Sequence, residues 1–126
     1  MINPSTGTGA IARSYTIKHG DAFRGGTFVF KSPAGEGAAY WDGHAERAQW
    51  RASRDGELIH EFELSAEVTE EDGYGLLTVT LGMDPADTVG LVAGNMVGDL
   101  EISSTAFPKQ TLVTMRANVL LDVTRD

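Results

Sequence analysis

Cysteine is absent from the chain, which excludes disulfide stapling, a thiolate nucleophile and cysteine-bound zinc. Basic residues are few: 10 stand against 18 acidic ones, for a net charge of −8. They are also scattered singly, so no footprint for gripping phosphates is present and nucleic acid is not an expected partner. Long apolar runs are missing too. The longest weakly polar stretch, 88–100, contains Asn95 and Asp99 and is too short to span a bilayer. The opening MINPSTGTGAIAR lacks the basic and apolar regions of a signal peptide. The expectation is a soluble, unprocessed protein of intracellular origin that does not engage a membrane. No G-x-S-x-G elbow, P-loop or H-E-x-x-H motif occurs either, so no enzyme class is indicated.

What is present is alternation. In 109–125, Val113, Met115, Ala117, Val119, Leu121 and Val123 fall on one parity, and Thr114, Arg116, Asn118, Asp122 and Thr124 on the other. Only a strand has that period. A long strand with one apolar face needs a second sheet to cover it. Upstream, Ser14 to His19 points Tyr15 and Ile17 inward, and Thr27 to Lys31 puts Phe28 and Phe30 on a shared face. Gly20-Asp21 and Gly25-Gly26 mark the turn region between those strands. The stretch 32–43 is broken by Pro33, Gly35, Gly37 and Gly43 and reads as a surface connection, with Tyr40 and Trp41 folding back.

His44 to Ser53 places Ala48, Trp50 and Ala52 on one face, and Arg54-Asp55-Gly56 signals a hairpin. The return reads as a single strand over 57–68, with Leu58, His60, Phe62, Leu64, Ala66 and Val68 inward. After the acidic turn 70–73 come Leu76 to Leu81, a helical turn begun by Asp84-Pro85, and a strand from Met96 to Ile102 with Met96, Leu100 and Ile102 inward. At 126 residues the chain suits one domain. About seven strands between turn signals predict an all-β, two-sheet antiparallel sandwich over 14–126. Residues 1–13, rich in Gly, Ser and Thr, read as a flexible or extended N-terminal arm that either frays or orders on a neighbouring subunit.

Chemistry-bearing candidates are sparse. Asp42, His44 and Glu46, spaced by two, would share one strand face in the manner of a metal or acid–base site. A polar face at the start of a strand is the plainer reading, and no second cluster completes a ligand shell. His60 on an apolar face suits a satisfied core histidine, and His19 faces water at a strand end. The acidic run Glu67, Glu70, Glu71, Asp72 lacks the EF-hand spacing. No catalytic residue, cofactor or metal ligand is expected. Arg13, Arg24, Arg47, Arg51 and Arg125, set in an acidic surround, are candidate interface anchors. Tyr40 and Trp41 join them as a possible aromatic platform, the basis of a carbohydrate-binding alternative.

The landmarks Ile17-Lys18-His19-Gly20-Asp21-Ala22-Phe23, Trp41-Asp42-Gly43, Ala48-Gln49-Trp50-Arg51 and Asp122-Val123-Thr124-Arg125 resemble motifs of small phage virion proteins. That group is similar to the N-terminal immunoglobulin-like domain of baseplate upper proteins and tail-fibre attachment proteins. The resemblance spans about residues 14–126. Ala22 departs from the usual Ser or Thr, and Tyr40-Trp41 from a small apolar residue. It implies an immunoglobulin-like sandwich, found in several copies in the virion and assembled in the bacterial host cytoplasm. The expected partners are other virion proteins and copies of itself, at the tail, baseplate or fibre attachment, without catalysis. A capsid decoration (cement) protein is the alternative of the same fold.

Overall fold

The computed structural model describes residues 11–121. Strands β1 (Ile11–Lys18), β2 (Phe23–Lys31), β3 (Ala45–Arg51), β4 (Leu58–Glu61), β5 (Ser65–Glu71), β6 (Tyr74–Met83), β7 (Gly94–Ser104) and β8 (Phe107–Leu120) are joined by turns, a 3-10 turn (Ala38–Trp41) and one short helix, α1 (Pro85–Val89). They form a five-stranded sheet in the order β1-β8-β7-β3-β4 and a three-stranded sheet in the order β2-β6-β5. The described residues form an immunoglobulin-like β-sandwich of eight strands, one more than the alternation pattern counts. Among the described strands every pairing is antiparallel except β1 on β8, where Ile11↔Val113 through Lys18↔Leu120 run parallel; an isolated bridge, Gly37↔Tyr74, is parallel too.

The extra strand comes from 57–68, which is two strands in different sheets. β4 pairs with β3 in the larger sheet, and β5 with β6 in the smaller one. In a sandwich both sheets bury their side chains toward one core, so inward parity survives the crossing. Phe62 is buried there, with its N–H on Ala48 O at 2.9 Å. Leu58 was expected inward but is 45% exposed. The register shift between Trp50 and Arg51 pairs Trp50 with His60 and Arg51 with Leu58, which turns Leu58 to the outer face. His60 stays on the inward side, edge-on to Phe62 with ring centroids 5.2 Å apart.

A second bulge corrects the reading of Gly25-Gly26 as part of a turn region: both glycines lie inside β2. The register shifts between Arg24 and Gly26, and Gly26 has φ 96°, which a side chain would strain. The shift resets parity so that Phe23, before it, and Phe28 and Phe30, after it, all face the core. Of the C-terminal apolar set, Val113, Met115, Ala117 and Val119 are buried as expected, whereas Leu121 is 60% exposed just beyond the end of β8. Val123 lies outside the described residues.

Beside the stacked pair Phe28 and Phe30, the core has two larger aromatic groups. Tyr15, Phe23, Trp50 and Phe62 meet in the middle with centroid separations of 5.0–6.3 Å, while Tyr40, Trp41 and Phe107 close one end at 5.1–5.6 Å. Such edge and offset geometries add to the area they bury. Trp41 Nε1 donates to Gly75 O at 2.9 Å, and Gly75 N–H donates to Ser32 Oγ at 2.8 Å. A Cβ at position 75 would lie 2.2 Å from Gly37 O, so the chain can approach this closely only at a glycine. At the other end, α1 carries an Asp84/Asp87 capping box. Its Thr88 Oγ1 donates to Asp21 O at 2.7 Å and accepts Gly20 N–H at 3.1 Å, pinning the β1–β2 turn.

The first three residues of β1, Ile11–Arg13, fall in the stretch read as an arm. They already belong to the larger sheet, and residues 1–10 lie outside the described part of the chain.

Candidate functional site

Alternation that buries one face of the larger sheet presents the other to solvent. On that outer face the register aligns Arg51 with Val97, Gln49 with Asp99 and Arg47 with Glu101 across β3 and β7. It aligns Arg116 with Val97 and Asp99 with Thr114 across β7 and β8. Small side chains towards the β1 edge, Ala12 and Ser14 on β1 beside Thr114 on β8, and longer ones across β8, β7 and β3 leave a groove of about 750 Å³. Three guanidinium groups border it: Arg51 on β3, Arg54 in the β3–β4 turn and Arg116 on β8.

Arg51 is held in place. Its Nε and Nη2 donate to Gln49 Oε1 at 3.2 and 2.9 Å, and Nη1 donates to Gly56 O at 3.0 Å. A guanidinium has five N–H donors, so two remain for a ligand. Gln49 in turn donates Nε2 to Glu61 Oε1 at 3.0 Å. That hydrogen bond, helped by Arg47, keeps the Glu61 carboxyl below its ordinary range. Among the described residues Arg54 and Arg116 make no side-chain hydrogen bond or ion pair, and both are exposed. The groove also contains Asp99, half-buried, whose pKa is raised by burial and then by Glu101.

The sequence-derived interface residues divide. Arg51 lines the groove and Arg47 stands beside it, its Nε 3.3 Å from Glu61 Oε1. Arg13 borders the groove, but its guanidinium lies over the Phe28 ring of the other sheet, 5.7 Å from the centroid. Arg24 is exposed on β2, away from the groove, and Arg125 lies outside the described residues. Tyr40 and Trp41 are 8% and 1% exposed, so they are core and present no ring face for stacking a sugar. Of the trio Asp42, His44 and Glu46, the last two contact each other through Nδ1 and Oε2. Asp42 is fixed by its main chain, whose O accepts Thr105 N–H at 2.9 Å. Among the described residues no group of three His, Cys, Asp or Glu is arranged to hold a metal ion.

Two members of the groove, Arg54 and Arg116, were not singled out from the sequence. Arg116 sits on the polar parity of β8 and Arg54 in an evident turn. The usable signal is that both are cations on the solvent side, Arg54 in the turn that follows Arg51 and Arg116 on the polar parity of β8, but their convergence depends on strand order. Among the described residues no helix is long and apolar enough to cross a membrane.

No family model matches the chain, and no curated protein matches it. Its fold is similar to part of a family 123 glycoside hydrolase from Clostridium perfringens, at TM-score 0.62 and 10% identity over 95% of this chain. The chain spans only 25% of that protein's length, and the likeness shows the fold alone. A second similar structure is the major subunit of aggregative adherence fimbriae type I from Escherichia coli. It has TM-score 0.35 and 11% identity, covering 86% of this chain and 90% of that one.

Proposed function

We propose that the chain is a non-catalytic structural protein of a bacteriophage particle: a tail, baseplate or fibre-attachment component that docks other particle proteins and copies of itself. The observation that carries docking is the groove on the larger sheet. Guanidinium groups with spare donors converge there on the surface of a chain whose net charge is −8. Arginine on a firm strand surface is a favoured anchor at protein interfaces, because it offers directed donors at modest desolvation cost. The place in a particle rests on the sequence motifs, of which Ile17–Phe23 form the end of β1 and the turn into β2, and Ala48–Arg51 lie on β3. On this reading the protein is assembled in the bacterial host and engages neither nucleic acid nor membrane.

Mass spectrometry of purified particles produced from the genome that encodes the chain is the test. Expected is the chain at a copy number far below that of the capsid protein. Abundance close to the capsid protein would shift the reading to a decoration protein, and absence from the particle would overturn both.

A further inference from the structure

The same molecule carries a feature of opposite charge. β5 and β6 form a hairpin in which Glu71 pairs with Tyr74 and only Asp72 and Gly73 lie between. Both turn residues have positive φ, 53° and 81°, the conformation of a tight two-residue turn whose twist matches the strands it joins. β5 is an edge strand of the smaller sheet, and Glu67, Glu70, Glu71 and Asp72 on it and on the turn are all exposed. Glu70 Oε1 accepts Ala38 N–H at 2.8 Å. Glu67, Glu71 and Asp72 make no side-chain hydrogen bond or ion pair among the described residues.

We propose that the arginine groove receives the acidic β5–β6 hairpin of a second copy of this chain. The inference rests on the reading of the protein as a multi-copy structural part and names the contact between copies. Three cations with spare donors face a hairpin edge with three free carboxylates. The groove's volume of about 750 Å³ is in the range that encloses a sizeable ligand and accommodates a few side chains of a turn. Groove and hairpin belong to different sheets, so one copy does not fill its own groove. Two copies that exchange hairpins reciprocally form a closed two-fold dimer; a contact made head-to-tail generates a ring if the rotation closes or a filament if it does not.

Charge also predicts a non-monotonic salt response. At very low salt, copies of net charge −8 repel one another over long range. Near 0.1 M salt, where the screening length is about 10 Å, that repulsion is suppressed while charges in contact still attract. Near 1 M salt the short contacts weaken as well.

The experiment is sedimentation equilibrium of the full chain across salt, with two double variants. Arg54→Glu with Arg116→Glu reverses the groove and brings the net charge from −8 to −12 (two changes of −2). Glu67→Lys with Glu71→Lys reverses the hairpin edge and brings it to −4 (two changes of +2). None of the four side chains holds the fold together, so circular dichroism should be unchanged. Self-association is expected for the parent chain, weaker by about tenfold or more in each double variant alone. It should return when the two variants are mixed, although both remain net negative. Lys18→Glu with Arg24→Glu, outside the groove but also at −12, should associate like the parent. A parent that is monomeric at every salt concentration overturns the contact and leaves the particle reading to mass spectrometry. Association that survives either reversal, or that the mixture fails to restore, overturns it too. Loss with the groove variant alone would assign the groove to an acidic partner other than this hairpin.

Discussion

At the scale of single residues, the two tryptophans have different settings. Trp41 is buried at 1% exposure with its indole N–H bonded to Gly75 O, whereas Trp50 is fully buried and its Nε1 finds no partner among the described residues. Trp41→Ala should cost about 3–5 kcal/mol by urea unfolding, from lost packing and a lost buried hydrogen bond. A cost under about 1 kcal/mol would mean the side chain is not core. Asp99 gives a pH signature. Burial raises its pKa from 3.8, so the folded state binds a proton more readily than the unfolded one. Its carboxyl therefore favours folding below pH 3.8, and that contribution is lost as pH rises through the raised value. Asp99→Asn should raise the thermal midpoint at pH 7, with the gain shrinking as pH falls through the raised value towards 3.8 and gone by about pH 3. An equal gain at pH 3 and pH 7 would show that ionisation of Asp99 is not the cause.

Elements rather than residues decide where the chain's first strand begins. Composition marks 1–13 as one weakly hydrophobic stretch, yet Ile11, Ala12 and Arg13 pair with Val113, Thr114 and Met115, and the Arg13 guanidinium covers Phe28. A chain starting at residue 14 should therefore be less stable than one starting at residue 11, by about 1–2 kcal/mol for a few net hydrogen bonds and the lost cation–π contact. That difference corresponds to roughly 3–8 °C in thermal midpoint. Equal midpoints would mean that the β1 end contributes nothing to the sheet. The 57–68 segment makes the complementary point. Phe62, Leu64, Ala66 and Val68 keep one parity through a change of sheet, so the alternation located the buried faces correctly and still concealed the crossing between β4 and β5. Likewise Leu58 leaves the core because of a bulge one residue away, which no periodicity announces.

At the scale of the whole molecule, charge sets the behaviour. With a net charge of −8 the compact state repels itself, and salt should relieve this. The thermal midpoint of dilute protein should rise between about 0.02 and 0.5 M sodium chloride, opposite in direction to the loss of the copy–copy contact at high salt. A midpoint that falls over that range would mean that specific ion pairs, such as Arg47–Glu61 and Lys109–Glu101, outweigh general repulsion. The same scale explains why the candidate site was only partly legible. Arg51 was visible on the polar side of β3. Its companions Arg116 and Arg54 are 65 positions downstream and 3 positions along the chain, and nothing local says that β8 lies one strand away from β3.

The sequence by itself determined most of the residues that face the core: Phe28, Phe30, Ala48, Trp50, Leu77, Val79, Leu81, Leu100, Ile102, Val113, Met115 and Val119 are all buried, while Leu58 and Leu121 of the same pattern are not. It also determined the short helix at Pro85 and the hairpin after Arg51. These are local matters, set by a two-residue period, a capping residue and an Asp-Gly turn. Only the tertiary structure decided that β1 joins β8 in parallel, that 57–68 serves two sheets, that Tyr40 and Trp41 are core rather than platform, and that Arg51, Arg54 and Arg116 meet at one groove. Strand order is settled by contacts between residues far apart in the chain, and alternation within a strand carries the same signal whichever neighbour that strand acquires.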